Sequence, residues 1–134
     1  MTAFQLKIVT PDGLEYDGQA EEVVVRTTTG DMGILAGHIN CVAPLGMGRA
    51  TFIIEGQRRY AACIGGILSV HNGQVTLVPT TFEWADQIDI ARAEASEKRA
   101  QDIIRNSSSG DSELRLAEAR LKRALIRKSV AKNQ

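Results

Sequence analysis

The sequence is poor in aromatic residues and cysteines, and it contains no long apolar run. Its 134 residues include only three Phe, two Tyr and one Trp, so a packed core has to rest mainly on Val, Ile, Leu and Ala. The two cysteines, Cys41 and Cys63, form no CxxC motif and no metal-ligand spacing, which favours reduced thiols in a cytoplasmic chain. No apolar stretch approaches the length of a membrane span, so the sequence predicts no direct membrane insertion.

An excess of charge of one sign is also missing, because 16 basic side chains balance 16 acidic ones. This balance, together with the lack of aromatic stacking platforms, argues against a nucleic-acid binder. The charges are nevertheless unevenly distributed. Residues 1–85 carry 5 basic and 8 acidic side chains, whereas from Leu114 to the end there are 7 basic side chains and one acid, Glu118. The C-terminal segment therefore predicts a basic surface for an acidic partner.

Short runs of strand-forming residues, separated by turn signals, fill the first 85 residues. Phe4–Val9 alternates apolar and polar side chains, and Glu22–Thr27 is rich in β-branched residues, as expected of strands. Asn72-Gly73 is the strongest hairpin signal. The glycine-punctuated segment Gly30–His38 predicts a loop, and no Lys-Ser/Thr pair follows it to make a P-loop. Seven or more short strands with regular turns predict a β-sandwich or a flattened barrel.

No catalytic constellation is visible in the sequence. His38 and His71 stand apart, and neither has a neighbouring acid or nucleophile with which to form a dyad. Both are interpreted as structural residues, and an enzymatic function has the least support.

The apolar period changes from that of strands to that of helices after Trp84. A first helix is predicted from Asp89 to Arg105, with Asp89 as the N-cap. A polar break covers 106–111, and a second helix is predicted from about Ser112 to Val130. Two helices joined by a short polar loop form an antiparallel hairpin.

The predicted fold is therefore α+β with segregated halves. Residues 1–85 form an N-terminal β-sandwich, and residues 86–134 form a C-terminal two-helix hairpin. The expected seam of the hairpin is narrow and consists of Leu114, Ala117, Leu121, Ala124 and Leu125. Alanine buries little apolar area, and at about 25 cal/mol per Å² such a seam is weak. The hairpin is expected to open at modest cost.

Two arginines are aligned on the first predicted helix. Arg92 lies one turn inside the helix, and Arg99 lies two turns further along the same face. A helix N-terminus with two aligned arginines is a candidate anion site. The alternative is a helix start with two solvated arginines, since such spacings are common on exposed helices.

Three stretches together resemble the epsilon subunit of bacterial-type F-type ATP synthases. They are Val9-Thr10-Pro11-Asp12-Gly13, the glycine segment Gly30–His38, and Ile88-Asp89-Ile90-Ala91-Arg92-Ala93. The resemblance covers the whole chain and includes the order of a β-sandwich followed by a helical hairpin. The glycine segment departs from the family pattern at Ala36, where proline is usual.

The resemblance implies a non-catalytic subunit in the rotor of the central stalk. The β-domain is expected to bind the gamma subunit and to rest on the ring of c subunits, with Asp31 and His38 as contacts to that ring. The chain would then be a peripheral protein on the cytoplasmic face of the cell membrane, as part of the synthase complex.

The resemblance also implies a mobile hairpin. Folded against the β-domain it permits turnover. Extended along gamma, its basic second helix meets the alpha and beta catalytic subunits and inhibits ATP hydrolysis. Such inhibition would need several cations together, because an exposed ion pair contributes only about 0–1 kcal/mol.

Some bacterial members of this family bind one ATP, as a regulatory ligand, on the folded hairpin. Their signature resembles Ile88-Asp89-x-x-Arg92-Ala93. By this resemblance Arg92 and Arg99 pair with the phosphates, Arg123 and Arg127 complete the phosphate shell, and the residues around the adenine are Glu83, Ile88 and Asp89. The alternative left open is a purely structural rotor subunit that binds no nucleotide.

Overall fold

The structure, a computed structural model, describes residues 2–106 and 112–132. The chain divides into two compact units, Met1–Trp84 and Ala85–Gln134. The first is a sandwich of two β-sheets and the second contains two packed helices. The predicted fold class is therefore confirmed. The polar break predicted at 106–111 lies almost entirely outside the described residues.

The first unit contains ten strands. They are β1 (Phe4–Thr10), β2 (Gly13–Ala20), β3 (Glu22–Thr27), β4 (Gly30–Ile34), β5 (Cys41–Pro44), β6 (Met47–Ile54), β7 (Gln57–Ile64), β8 (Ile67–His71), β9 (Gln74–Val78) and β10 (Thr81–Trp84). One sheet has the strand order β2-β1-β9-β8-β5 and the other has the order β10-β7-β6-β3-β4. Neighbouring strands are antiparallel except β1 and β9, which run parallel.

The core lies between the two sheets and is mostly aliphatic, as the composition predicts. Its fully buried side chains include Leu6, Ile8, Val23, Val25, Leu68 and Leu77. Four of the six aromatic rings are gathered in one cluster, in which Trp84 makes edge contacts with Tyr16, Phe52 and Phe82 at centroid distances of 5.0–6.4 Å. The guanidinium of Arg59 lies 3.8 Å from the centroid of the Trp84 ring. The few aromatic residues thus reinforce one part of an aliphatic core.

Cys63 belongs to this core. Its side chain is buried, and burial raises the pKa of its thiol to about 12. A thiol with such a pKa is neutral and unreactive at physiological pH, so Cys63 acts as a small apolar residue.

The prediction of a continuous loop at Gly30–His38 is wrong over its first half. Gly30–Ile34 is strand β4, which pairs with β3 so that Arg26 faces Asp31 and Val24 faces Gly33. Arg26 Nε donates to Asp31 Oδ1 at 2.7 Å. Glycine lowers strand propensity through lost side-chain packing, but its backbone can still make the ladder hydrogen bonds. The pairing with β3 therefore prevails over the local glycine signal.

The second unit begins with a 3-10 turn at Ala85–Gln87, and two helices follow, α1 (Ile90–Asn106) and α2 (Ser112–Ala131). Both helices fall within one residue of the predicted bounds. In the described ranges, neither is long and apolar enough to cross a membrane.

Candidate functional site

Asp89 caps the first helix, as the sequence predicts. Its Oδ1 accepts a hydrogen bond from the backbone N–H of Arg92 at 3.0 Å, and its carbonyl accepts one from Ala93 at 3.0 Å. The first bond satisfies a backbone donor that has no partner within the first helical turn, and the second is the first i→i−4 hydrogen bond of the helix.

The seam between the helices is built from small side chains. The buried alanines repeat every seven residues, at Ala93 and Ala100 on α1 and at Ala117, Ala124 and Ala131 on α2. Seven residues span two helical turns, so each row stays on one face. The prediction of Leu125 in the seam is wrong, because this residue is 46% exposed. Ala124 faces the other helix at close range. The next residue, Leu125, lies about 100° further around α2 and therefore points out of the seam.

One ion pair on the flank of the seam shows the register of the hairpin. Lys128 Nζ donates to Glu97 Oε1 at 2.8 Å, and the side chains are only 23% and 17% exposed. Because the helices are antiparallel, residues on α2 that precede Lys128 face residues on α1 that follow Glu97.

A groove lined by four arginines follows the opposite flank of the seam. Its volume is about 270 Å³, and it is lined by Ser96, Arg99, Ala100, Ile103, Arg120, Arg123 and Arg127. No acidic side chain is among the described residues of this lining. A concave site with several guanidinium groups suits phosphate, because each group can donate two parallel hydrogen bonds to phosphate oxygens.

The structure therefore brings together three of the predicted phosphate contacts, Arg99, Arg123 and Arg127. Arg92 is exposed. It precedes Ser96 by four residues and Arg99 by seven, so the three residues lie on the same face of α1.

The other predicted ATP contacts lie elsewhere. Ile88 is buried and Asp89 exposed just before α1, whereas Ala93 is used by the seam. Glu83 is half-buried on β10, in the first unit, opposite Ala62 of β7.

Sequence reasoning missed Arg120 and Ser96 as residues of the groove. The missed signal is helical spacing, since Arg120, Arg123 and Arg127 stand at i, i+3 and i+7 on α2. Ser96 stands between Arg92 and Arg99 at the same kind of spacing. The apolar seam defines α2 in the sequence, and a polar face with the same period beside it is not revealed by that seam.

Titration of Lys128 links the seam to pH. Its hydrogen bond to Glu97, and secondarily the charges of Glu97 and Glu94, raise the pKa of Lys128 above its ordinary value of 10.5, against the opposing effect of burial. A raised pKa in the folded state stabilises the folded hairpin at every pH below the unfolded value. This contribution is lost as the pH rises through the raised pKa.

Glu97→Gln is expected to loosen the hairpin at neutral pH, because it leaves the half-buried Lys128 ammonium without its ionic acceptor. We expect amide hydrogen exchange in α1 and α2 to accelerate by up to about fivefold, while exchange in the β-sandwich stays unchanged. Asp102→Asn removes the same charge from an exposed position on α1 and serves as the control. Equal protection in both variants would show that the ion pair contributes nothing to closure.

A second surface with functional character is an exposed apolar row on the sheet that contains β5. Pro44, Ile67 and Val78 are successive cross-strand partners on β5, β8 and β9. Val9 and Leu14 continue the row on β1 and β2. Leu14, Ile67 and Val78 are 59%, 50% and 47% exposed, and nearby Val42 is 73% exposed. Contiguous exposed apolar side chains of this kind mark a docking surface.

Asp31 and His38, the two predicted contacts to the ring of c subunits, are held at different ends of β5. Asp31 follows the β3–β4 turn, where Thr28 N–H donates to the Pro44 carbonyl at 3.1 Å. The loop containing His38 leads instead to Asn40, whose side-chain oxygen accepts from the Asn72 N–H at 2.8 Å. Asp31 is exposed and His38 is half-buried, with its Nδ1 2.9 Å from the Ile39 carbonyl. The structure thus does not bring the two residues to one spot.

Comparison with known proteins gives the same family for both units. Residues 3–85 match the family described as ATP synthase, Delta/Epsilon chain, beta-sandwich domain. Residues 86–132 match the family described as ATP synthase, Delta/Epsilon chain, long alpha-helix domain.

Curated relatives match along the full length. An ATP synthase epsilon chain from Bacillus velezensis is 46% identical over 133 residues, covering 99% of this chain and 100% of the relative. An ATP synthase epsilon chain from Bacillus pumilus is 40% identical over 131 residues, covering 98% of each. A chain in the cryo-EM structure of the Euglena gracilis mitochondrial ATP synthase has the same fold, with a TM-score of 0.80 at 22% identity, covering 100% of this chain and 83% of that chain.

Proposed function

The chain belongs to the delta/epsilon family of ATP synthase subunits, and from this premise we propose that its two units divide the work of a rotor subunit. It is a non-catalytic epsilon-type subunit of the central stalk. In the proposed division, residues 1–85 attach the chain to the rotor, and residues 86–134 regulate ATP hydrolysis. The regulatory ligand is ATP, bound on the closed hairpin.

The observation that carries the regulatory proposal is the groove with four arginines. A triphosphate brings several negative charges, and the groove offers Arg99, Arg123 and Arg127 on two different helices. A ligand that pairs with cations on both helices holds those helices together. It would also screen the repulsion between like charges that closure of the hairpin brings together.

The base of the nucleotide is assigned to the other end of the hairpin. The Asp89 carboxylate is fixed there by its capping bond, whereas the apolar side chain of Ile88 is already buried, and its contact with the base stays a prediction of the resemblance. Arg92 follows on the groove-facing side and would meet the first phosphates. The roles of Glu83 and Ala93 in nucleotide binding stay predictions of the resemblance.

The weak seam explains how one small ligand controls the hairpin. If ATP binds only the closed form, it stabilises that form by RT ln(1 + [ATP]/Kd), about 2.7 kcal/mol at a hundredfold excess over Kd. Five alanines bury little area, so an increment of this size decides the balance between closed and open forms. When ATP falls, the hairpin opens and α2, rich in Lys and Arg, meets the alpha and beta subunits and restrains hydrolysis.

The apolar row is the proposed docking face for gamma. Side chains such as Leu14 and Ile67, exposed by half or more, gain most by being covered in an assembly. Asp31 and His38 are the proposed contacts to the polar loops of the c-ring. In this assembly the chain is a peripheral component on the cytoplasmic face of the membrane.

Calorimetric titration of the whole chain with ATP tests the proposal, with Arg92→Ala as the informative variant. Wild type is expected to bind one ATP. Arg92→Ala is expected to bind at least about tenfold more weakly, because it removes a charged hydrogen-bond donor to phosphate. The substitution does not impair the helix, since alanine has the higher helix propensity and the Asp89 cap uses only the backbone of residue 92.

Arg105→Ala is the matched control, because Arg105 is an exposed arginine in the last turn of the same helix. Its affinity for ATP should equal that of wild type. If wild type fails to bind ATP up to millimolar concentration, the hairpin is no nucleotide sensor and the chain is a structural rotor subunit.

A further inference from the structure

A small polar recess lies on the outer face of the sheet that contains β3, β4 and β6. Its volume is about 150 Å³, and it is lined by Val24, Arg26, Asp31, Arg49 and Thr51. Across the strands Arg26 faces Asp31, and Val24 faces Thr51. Alternate residues of β3 enter the core, so Val24 and Arg26 point away from it. The recess therefore rests on paired backbone and carries two guanidinium groups.

Glycines on the neighbouring segment make room for Arg26 beside the recess. A Cβ added at Gly48 would lie 2.8 Å from Arg26 Cβ and 3.2 Å from Arg26 Cγ. A Cβ added at Gly46 would lie 3.4 Å from Arg26 Cγ. The stem of Arg26 thus occupies space that only glycine leaves open, and this packing places its guanidinium at the recess.

Both arginines of the recess are oriented by a second contact. Arg26 Nε donates to Asp31 Oδ1 at 2.7 Å, and the guanidinium of Arg49 lies 4.9 Å from the centroid of the Tyr60 ring. A guanidinium has five N–H donors, so donors are left over for a ligand. Side chains that are already ordered lose less entropy on binding. The recess therefore presents preorganised donors to an acceptor.

The charges of the lining select the class of ligand. Two guanidinium groups and one carboxylate give the residues that line the recess a net charge of +1. A single carboxylate matches this charge, whereas a phosphate dianion brings a second negative charge toward Asp31, which repels it. Val24 offers an apolar wall to the methylene groups that carry a side-chain carboxylate, and the Thr51 hydroxyl offers a further donor.

We propose that this recess binds the carboxylate of an aspartate or glutamate side chain from a neighbouring polypeptide of the assembly. The inference rests on the proposed attachment of residues 1–85 to the rotor, and it adds a second contact on the sheet that does not carry the apolar row. Arg26 and Arg49 pair with the incoming carboxylate. Asp31, a proposed contact to the c-ring, is also the positioning residue for Arg26.

Carboxylate binding is tested on the whole chain by NMR, which follows the Nε–H signals of the arginines. The probe is N-acetylglutamate N-methylamide, whose only charge is the side-chain carboxylate, and the glutamine analogue is its neutral control. We expect saturable shifts of the Arg26 and Arg49 signals with the charged probe alone. Arg49→Gln should weaken binding about fivefold, as for an exposed ion pair.

Arg58→Gln is the matched control, because Arg58 is an exposed arginine of the same sheet that does not line the recess. Its affinity for the probe should equal that of wild type. The absence of saturable shifts in wild type, or equal losses in the two variants, would overturn the carboxylate site.

Inorganic phosphate tests the selection by charge. Wild type should bind phosphate more weakly than the glutamate probe, and Asp31→Asn should strengthen phosphate binding about fivefold, because it removes the repelling charge. Tighter binding of phosphate than of the probe by wild type would overturn the choice of a carboxylate as the ligand.

Reassembly with a synthase complex that lacks this chain tests the docking role. Arg49→Gln should bind the complex at least about tenfold more weakly, because the interface removes water from a charged hydrogen bond, whereas Arg58→Gln should bind as wild type does. Equal affinities of the two variants would overturn the role of the recess in docking. Failure of wild type to join the complex would instead refute the proposed rotor function, and the NMR titration would still decide whether the recess binds a carboxylate.

Discussion

Gly66→Ala is expected to unfold much of the β-sandwich population under conditions in which wild type is fully folded. Gly66 joins β7 of one sheet to β8 of the other and has a φ of +98°. A Cβ placed there would lie 2.0 Å from the Val78 carbonyl oxygen and 2.6 Å from Pro79 Cα. Both atoms belong to the backbone at the end of β9, where Val78 is the last residue of the strand and Pro79 follows it, so relief requires the backbone of neighbouring strands to move. Left-handed φ and overpacking together should lower the free energy of unfolding by about 3–5 kcal/mol.

Gly73→Ala separates the two causes. Gly73 also has a positive φ, +81°, but a Cβ there would meet no atom within 4 Å. Only the backbone penalty remains, about 1–2 kcal/mol. Trp84, the single tryptophan, is buried in the aromatic cluster, so urea unfolding can be followed by its fluorescence. A Gly66→Ala midpoint no lower than that of Gly73→Ala would mean that the sheets accommodate the methyl group.

The β-sandwich was predictable wherever its strands carry their own pattern. Alternation indicates a strand at Phe4–Val9, β-branched residues indicate one at Glu22–Thr27, and Asn72-Gly73 indicates a hairpin. Strand β4 carries no such pattern of its own, because Gly30 and Gly33 interrupt the alternation. The strand forms through its pairing with β3. Strand formation that depends on a partner distant in sequence is invisible to local propensity.

The bounds of the two helices were predictable from the sequence. The face that each helix turns toward the other was not. The Asp89 cap depends on chemistry within four residues, and the structure shows it as expected. The seam depends on which side chains allow the closest approach of two helices. Alanines at intervals of seven residues occupy the seam, and Leu125 turns outward as a result. The groove follows from the same rotation, since it places Arg120 beside Arg123.

Arg92→Ala is expected to raise, about tenfold, the ATP concentration that relieves the inhibition of ATP hydrolysis in the assembled synthase. The proposed linkage relieves inhibition as ATP closes the hairpin, by about 2.7 kcal/mol or a hundredfold change in population at a hundredfold excess over Kd. Weakening ATP binding about tenfold should raise the ATP concentration of half-relief by the same factor. Hydrolysis would be measured across ATP concentrations and divided by the rate of the same complex assembled without this chain, which removes the substrate dependence of catalysis itself.

The choice of Arg92 matters because the arginines of α2 have two proposed roles. Substituting Arg123 or Arg127 would weaken both the ATP site and the basic surface that restrains the catalytic subunits, so a loss of inhibition would be ambiguous. Arg92 lies on α1, outside that surface, and its loss should leave maximal inhibition at low ATP unchanged while shifting the relief. Arg105→Ala, on the same helix, should leave both quantities at the wild-type value. An unshifted relief curve for Arg92→Ala would break the link between ATP binding and the brake, even if the isolated chain binds ATP.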